Sequence, residues 1–251
     1  MPTVNHLISR ELADNWRVFR DINGLAGHNA TLDGAMIFSA NDLILLLPVL
    51  AALVWLSMAR WSPYVRWLRA RFGATLGERA RWIGQRTAIS AALAAAVALG
   101  LNIFLGTLIY EPRPFVSNPS AVHLLISHAK DASFPSDHEA VAMAIALTLA
   151  AAAIWLFWTT LREPLIGKAA GWSWGRAFGF IAIPGAVALL ALASAALIGF
   201  ARVFDGVHYP HDIVGGALCG LVGVVVALAL LPLADRIYSA LIRAAEALRL
   251  A

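Results

Sequence analysis

Cysteine is nearly absent. Cys219 stands alone, so no internal disulfide can form, and its place inside an apolar run marks it as a small buried residue. Charge is scarce as well. Only 14% of the 251 residues are charged, far below the roughly 25% of an ordinary soluble domain. The formal excess of +4 sits in stretches beside apolar runs and accompanies no nucleic-acid-binding motif, which excludes nucleic acid as a partner. The first residues lack a basic start followed by an apolar core, so they do not read as a cleaved signal peptide.

What is present is apolar residue, 60% of the chain. A bilayer-spanning helix needs about 20 such residues in a row. Five stretches qualify, at 35–59, 87–110, 137–160, 177–200 and 213–234. The expected fold is all-α and integral to the membrane: about five transmembrane helices in one bundle spanning residues 35–234. Residues 1–34 carry Arg10, Glu11, Asp14, Arg17, Arg20 and Asp21 and cannot span. Ile8, Leu12, Trp16 and Phe19 recur there at helical spacing, which predicts an N-terminal amphipathic helix. It either lies in the membrane interface or packs on the ends of the bundle. Residues 235–251 read as a cytoplasmic C-terminal helix.

Charge orients the bundle. The stretches after the first, third and fifth spans share one side. They hold Arg60, Arg66, Arg69, Arg71, Arg79, Arg81, Arg86, Arg162, Lys168, Arg176, Arg236, Arg243 and Arg249, 13 of the 19 Lys and Arg. Only Glu78, Glu163, Asp235 and Glu246, 4 of the 15 acids, accompany them. Cytoplasmic flanks retain positive charge, so the opposite side is predicted to face outward.

Three polar segments fall on that outer side: Tyr110–Phe115, Ser133–Glu139 and Ala201–Asp212. Arg113 and Arg202 offer permanent charge and forked donors suited to phosphate oxygens. Either alone would be read as readily as an arginine snorkelling to headgroups. Ser136 with Glu139 three residues on predicts a capping box opening the third span. A helix start also aims N–H groups and a positive dipole end at an anion. His138 lies in that first turn. His208 and Asp212 stand four apart, close enough for the carboxylate to set the tautomer and leave the other ring nitrogen as nucleophile or base. Metal is disfavoured, because two arginines repel a cation. His211 reads as a residue of a solvated turn.

Arg-Pro, Pro-Ser-Asp-His and Arg-x5-His-x3-Asp, in this order, resemble the three-part signature of the type-2 phosphatidic acid phosphatase superfamily, whose helical core is shared with vanadate haloperoxidases. Ile22–Ala26, Tyr110–Phe115 and Asp131–His138 are most similar to bacterial undecaprenyl-diphosphate phosphatases of the bacitracin-resistance type. The resemblance covers residues 20–235. It implies that His208 is the nucleophile and forms a phosphohistidine, that Asp212 orients it, and that His138 protonates the leaving group and then activates water. Arg113, Arg202, Ser136 and backbone N–H groups near Asp137 would hold the phosphoryl oxygens. It implies no metal or other cofactor, an isoprenoid lipid diphosphate as substrate, surrounding membrane lipids as partners, and a site on the outer face of the bacterial cytoplasmic membrane. No oligomeric state is implied. Two positions depart from the broader family pattern: Gly106 replaces a lysine and Ala201 a serine. Asn102, His128 or Lys130 are the residues placed to compensate.

Three other readings compete. A phosphatidylglycerophosphate or phosphatidate phosphatase would keep the chemistry and change the lipid. A transporter would string its charges along a pore and show an inverted repeat; here they cluster at one face. A purely structural bundle rests only on Gly216-x-x-x-Gly220.

Overall fold

The computed structural model describes residues 4–162 and 174–248. Glu163, Lys168 and Arg249 of the charge argument lie outside the described residues. All regular elements described are helical: α1 (Val4–Asn23), α2 (Ala30–Asn41), α3 (Leu46–Ser57), α4 (Pro63–Phe72), α5 (Ala74–Leu108), α6 (Pro114–Ser117), α7 (Asp137–Arg162), α8 (Trp174–Phe204) and α9 (Pro210–Ala247).

Among the described residues, four helices are long and apolar enough to cross a bilayer, over Ala74–Leu108, Asp137–Thr159, Phe180–Phe204 and Pro210–Leu233. The first expected span is two pieces, α2 and a second helical stretch from Leu43 that includes α3, meeting at a 46° bend. The bend falls at Asp42, where a 3-10 turn over Leu43–Leu45 takes over. Pro48, in the first turn of α3, has no N–H to extend the earlier ladder. Four or five crossings make this a multi-pass membrane protein. Its outer faces agree: Leu189 is 70% exposed, Leu233 80% and Phe104 57%, a distribution stable only against lipid.

Helix α7 is central and packs against α5, α8 and α9. The contact surfaces are built from small residues, Ala94, Ala98, Ala140, Ala144, Cys219 and Ala227 among them, which lets backbones approach closely. A Cβ on Gly216 would lie 2.4 Å from the Ser136 carbonyl oxygen, and one on Gly220 2.9 Å from that of Ala140. The α9 backbone therefore runs directly against the start of α7, where the second motif lies.

Two helices outrun their apolar windows. Helix α5 begins at Ala74, 13 residues before the expected start at 87, and α9 continues unbroken to Ala247, past the expected boundary at 234. Paired charges sustain these ends. Arg86 donates to Asp235 at 2.6 Å and 3.0 Å, and Arg81 meets Glu246 at 3.0 Å. At the opposite end, α1 packs on α8 and α9. Phe19 is fully buried, with Trp16 stacked on it at 5.2 Å and Tyr209 at 5.5 Å.

Candidate active site

Main-chain bonds bring the three motif segments together. Ser133 N donates to Glu111 O at 2.7 Å, beside a bridge between Pro112 and Ala132. Ser136 N donates to Asp212 O at 3.0 Å, tying the second motif to the third. At the end of α8, Gly206 takes a left-handed conformation (φ 84°). The N–H groups of Val207 and His208 then turn back on Arg202 O at 3.2 and 3.3 Å. Glycine meets no Cβ penalty in such a helix-ending turn.

His208 is fully buried at the centre. Its Nε2 lies 3.1 Å from Arg113 Nη1 and its Nδ1 3.3 Å from Asp212 Oδ2. A guanidinium only donates, so Nε2 is the acceptor and the proton sits on Nδ1, facing Asp212. Burial first, then Arg202 and Arg113, push the imidazole down to about 4 against the pull of Asp212. The ring is therefore neutral at neutral pH, with the Nε2 lone pair directed at the arginine.

Asp212 is also fully buried. Its Oδ2 accepts from Tyr209 N at 2.8 Å and Ser133 Oγ at 2.5 Å, besides facing His208. Arg113 donates through Nε to Asp131 at 2.7 Å and through Nη1 to Val207 O at 3.0 Å. Burial would raise the Asp131 carboxyl, but the Arg113 bond and charge hold it below its usual range.

Among the motif residues, three buried donor atoms have no protein partner: Arg202 Nε, Arg202 Nη2 and Ser136 Oγ. Buried donors left unmade are costly, and together with Arg113 they suit the oxygens of a phosphoryl group. The expected capping box is thus corrected. Ala140 N bonds Ser136 O, as an N-cap requires, but the Ser136 hydroxyl caps nothing. The Glu139 carboxylate turns instead towards Gly199 of α8. The reciprocal contact forms on α9, where Asp212 accepts from Tyr209 N.

His138 is oriented by its neighbour: Asp137 Oδ1 accepts from His138 N at 2.8 Å and faces Nδ1 at 3.0 Å. The Asp137 side chain therefore holds a histidine, whereas the sequence reading assigned this position through its backbone. His128 is half-buried, its ring 6.4 Å from that of His208, and burial and Arg113 lower its basicity. Lys130 is exposed, with no hydrogen bond or ion pair to the cluster among the described residues. Asn102 is buried in α5 with its amide nitrogen unpartnered. Ala201 packs with Ala40, Ile126 and Val207, where a serine hydroxyl would meet an apolar wall.

Sequence reasoning missed several residues. Ser133 bonds the Asp212 that faces His208, and Asp131 bonds Arg113. Asn23 clamps the surrounding loops, donating to His123 O and Phe204 O at 2.8 Å each and accepting from His123 N at 2.9 Å. Its only signal was membership in the Ile22–Ala26 run. His211 is not a free turn residue: its Nε2 stands 2.7 Å from Glu111 Oε2 and 3.2 Å from Asp212 Oδ1. Asp205, fully buried, has no hydrogen bond to either carboxylate oxygen. Burial drives its carboxyl up to about 7 despite the Arg202 charge nearby.

A helical membrane bundle with a neutral buried histidine, an orienting carboxylate and a cradle of unpaired donors is the architecture of a membrane phosphatase. The sequence profile of the PAP2 superfamily matches residues 87–236, and the chain belongs to that family. It is 28% identical to undecaprenyl-diphosphatase BcrC of Bacillus subtilis (strain 168) over 208 residues, 83% of this chain and 79% of that protein. It is 32% identical to putative undecaprenyl-diphosphatase YbjG of Escherichia coli (strain K12) over 201 residues, 78% of this chain and 74% of that one. Among solved structures it resembles LpxE of Aquifex aeolicus with a TM-score of 0.46 and 23% identity, covering 86% of this chain and 94% of that one.

Proposed function

We propose that this phosphatase hydrolyses undecaprenyl diphosphate to undecaprenyl phosphate at the outer face of the bacterial cytoplasmic membrane, through a phosphohistidine on His208. The reading recycles an exported lipid carrier and would confer bacitracin resistance. The observation that carries it is a neutral, buried His208 whose Nε2 accepts from Arg113, in one cluster with unpartnered buried donors on Arg202 and Ser136. The similarity to undecaprenyl-diphosphatases supports the choice of lipid.

Arg113 shifts its Nη1 from Nε2 to the terminal phosphate as substrate enters, freeing the lone pair. Nε2 attacks phosphorus, the bridging P–O bond breaks, and His138 protonates the leaving oxygen. Asp212 stabilises the imidazolium by accepting from Nδ1. Water deprotonated by His138 then cleaves the P–N bond. Arg113, Arg202 and Ser136 gain strength as charge gathers on the equatorial oxygens, the main source of acceleration in such a site.

Purified protein with a chelator present is given undecaprenyl diphosphate or phosphatidylglycerophosphate, beside His208→Ala. Release from the isoprenoid substrate, abolished by the substitution, is expected. Preference for the glycerophospholipid would move the function to the second lipid class, and activity surviving His208→Ala would remove the mechanism. A reporter fused after Ala251 is expected to be active in the cytoplasm.

A further inference from the structure

The oxygens of Asp212 are used unequally. Three donors converge on Oδ2, whereas Oδ1 is buried and accepts no hydrogen bond. It faces away from His208, towards His211 Nε2 at 3.2 Å, which in turn stands 2.7 Å from Glu111 Oε2. These three atoms lie within 4.8 Å of one another.

We propose that Glu111, His211 and Asp212 Oδ1 form a binding site for a divalent transition cation, Zn2+ above all, that throttles the nucleophile. One imidazole nitrogen and two carboxylate oxygens suit zinc. Tetrahedral ligands at bonds of about 2.0–2.2 Å stand about 3.4 Å apart. The His211–Asp212 spacing of 3.2 Å already approaches that, and the His211–Glu111 spacing of 2.7 Å must open by about 0.7 Å. The proton on His211 Nε2 leaves to solvent, and water takes the fourth position.

The surroundings hold the ligands ready. Asp212 is fixed by its three donors, and the Glu111 carbonyl by Ser133 N. The His211 ring is stacked on Tyr209 at 5.7 Å, and its backbone N–H donates to Asn15 Oδ1 at 3.1 Å. The His211 and Glu111 side chains are 33% and 26% exposed, which gives the ion an approach from outside the bundle. Arg113 meets His208 at Nε2, the far side of the imidazole from Asp212, so the cation is not placed against it.

The regulatory consequence rests on the phosphatase reading above; binding itself does not. A cation on Oδ1 withdraws charge that Oδ2 shares with the Nδ1 proton of His208. The imidazole becomes a poorer nucleophile while the phosphate cradle is untouched, so kcat falls and KM holds.

The test titrates Zn2+ into chelator-stripped protein against a chromophoric chelator and follows phosphate release in parallel. One zinc per chain at micromolar concentration is expected, with kcat down at least tenfold, KM within twofold, and recovery on adding EDTA. Glu111→Gln and His211→Gln, on different segments, each weaken binding at least tenfold and relieve inhibition relative to their own metal-free rates. His28→Ala and His123→Ala leave affinity unchanged. Absence of stoichiometric binding, affinity unchanged from the parent in both ligand variants, or inhibition that raises KM alone would overturn the proposal. Zinc binding that obeys the variants in a protein inactive on every lipid phosphate would instead overturn the phosphatase reading and leave the site standing.

Discussion

Replacing Gly216 with alanine tests how far catalysis depends on the contact between α9 and α7. The added Cβ would sit 2.4 Å from Ser136 O, 3.0 Å from Glu139 Cβ and 3.2 Å from Ala140 N. A carbon needs about 1 Å more from a carbonyl oxygen. The obstacle is backbone that already accepts the first α7 hydrogen bond, so the start of α7 must move off α9. Overpacking of this kind costs about 1–3 kcal/mol, and alanine returns up to about 1 kcal/mol of helix propensity. Net destabilisation of about 0–2 kcal/mol is expected. The displacement falls on Ser136 and His138, which must sit correctly against His208, and a misplacement of about 1 Å can lower a rate about 100-fold. Expected is a variant that melts within a few degrees of the parent in detergent yet releases phosphate about 100-fold more slowly. Gly100→Ala is the control, since its Cβ would meet nothing within 4 Å. A Gly216→Ala protein with unchanged kcat, or a Gly100→Ala protein equally impaired, would refute the reasoning.

Three further outcomes follow from the site. Asp205 is held near 7 against an ordinary 3.8, so its extra proton stabilises the native state fully below about pH 4, and that contribution is lost as pH rises through 7. It is worth up to about 4 kcal/mol; melting curves from pH 4.5 to 8 should fall for the parent and flatten for Asp205→Asn, and parallel curves would sink the assignment. Ser133→Ala removes the 2.5 Å bond to Asp212; bonds to charged groups are worth about 1.5–3 kcal/mol, so kcat is expected to drop about tenfold or more with little change in KM. Arg202→Lys loses the forked donors left open for the substrate, and a fall in kcat/KM of about 100-fold is expected from steady-state rates.

The spans and the gathering of the three polar segments were legible because each leaves a local mark: an apolar run and a short polar motif. His208 and Asp212 could be paired from spacing alone. Residues acting across the fold left no such mark. Ser133 reaches Asp212 over 79 positions and Asn23 reaches Phe204 over 181, so neither could be foreseen from its neighbours. Hydropathy also misplaced helix ends. It sees where apolar character stops, whereas α5 and α9 persist through charged sequence because Arg86 and Arg81 find Asp235 and Glu246 on the partner helix. The pairing of His211 with Glu111 left no mark for the same reason: its partner lies on a loop 100 positions away.

The most direct test of the account is to trap the phosphoenzyme. Protein mixed with terminally labelled lipid diphosphate and quenched within milliseconds should carry an acid-labile, alkali-stable phosphoryl group that maps to His208. Asp212→Asn should slow its appearance, and His208→Ala should abolish it. A labelled residue other than His208, or full turnover by His208→Ala, would contradict the account.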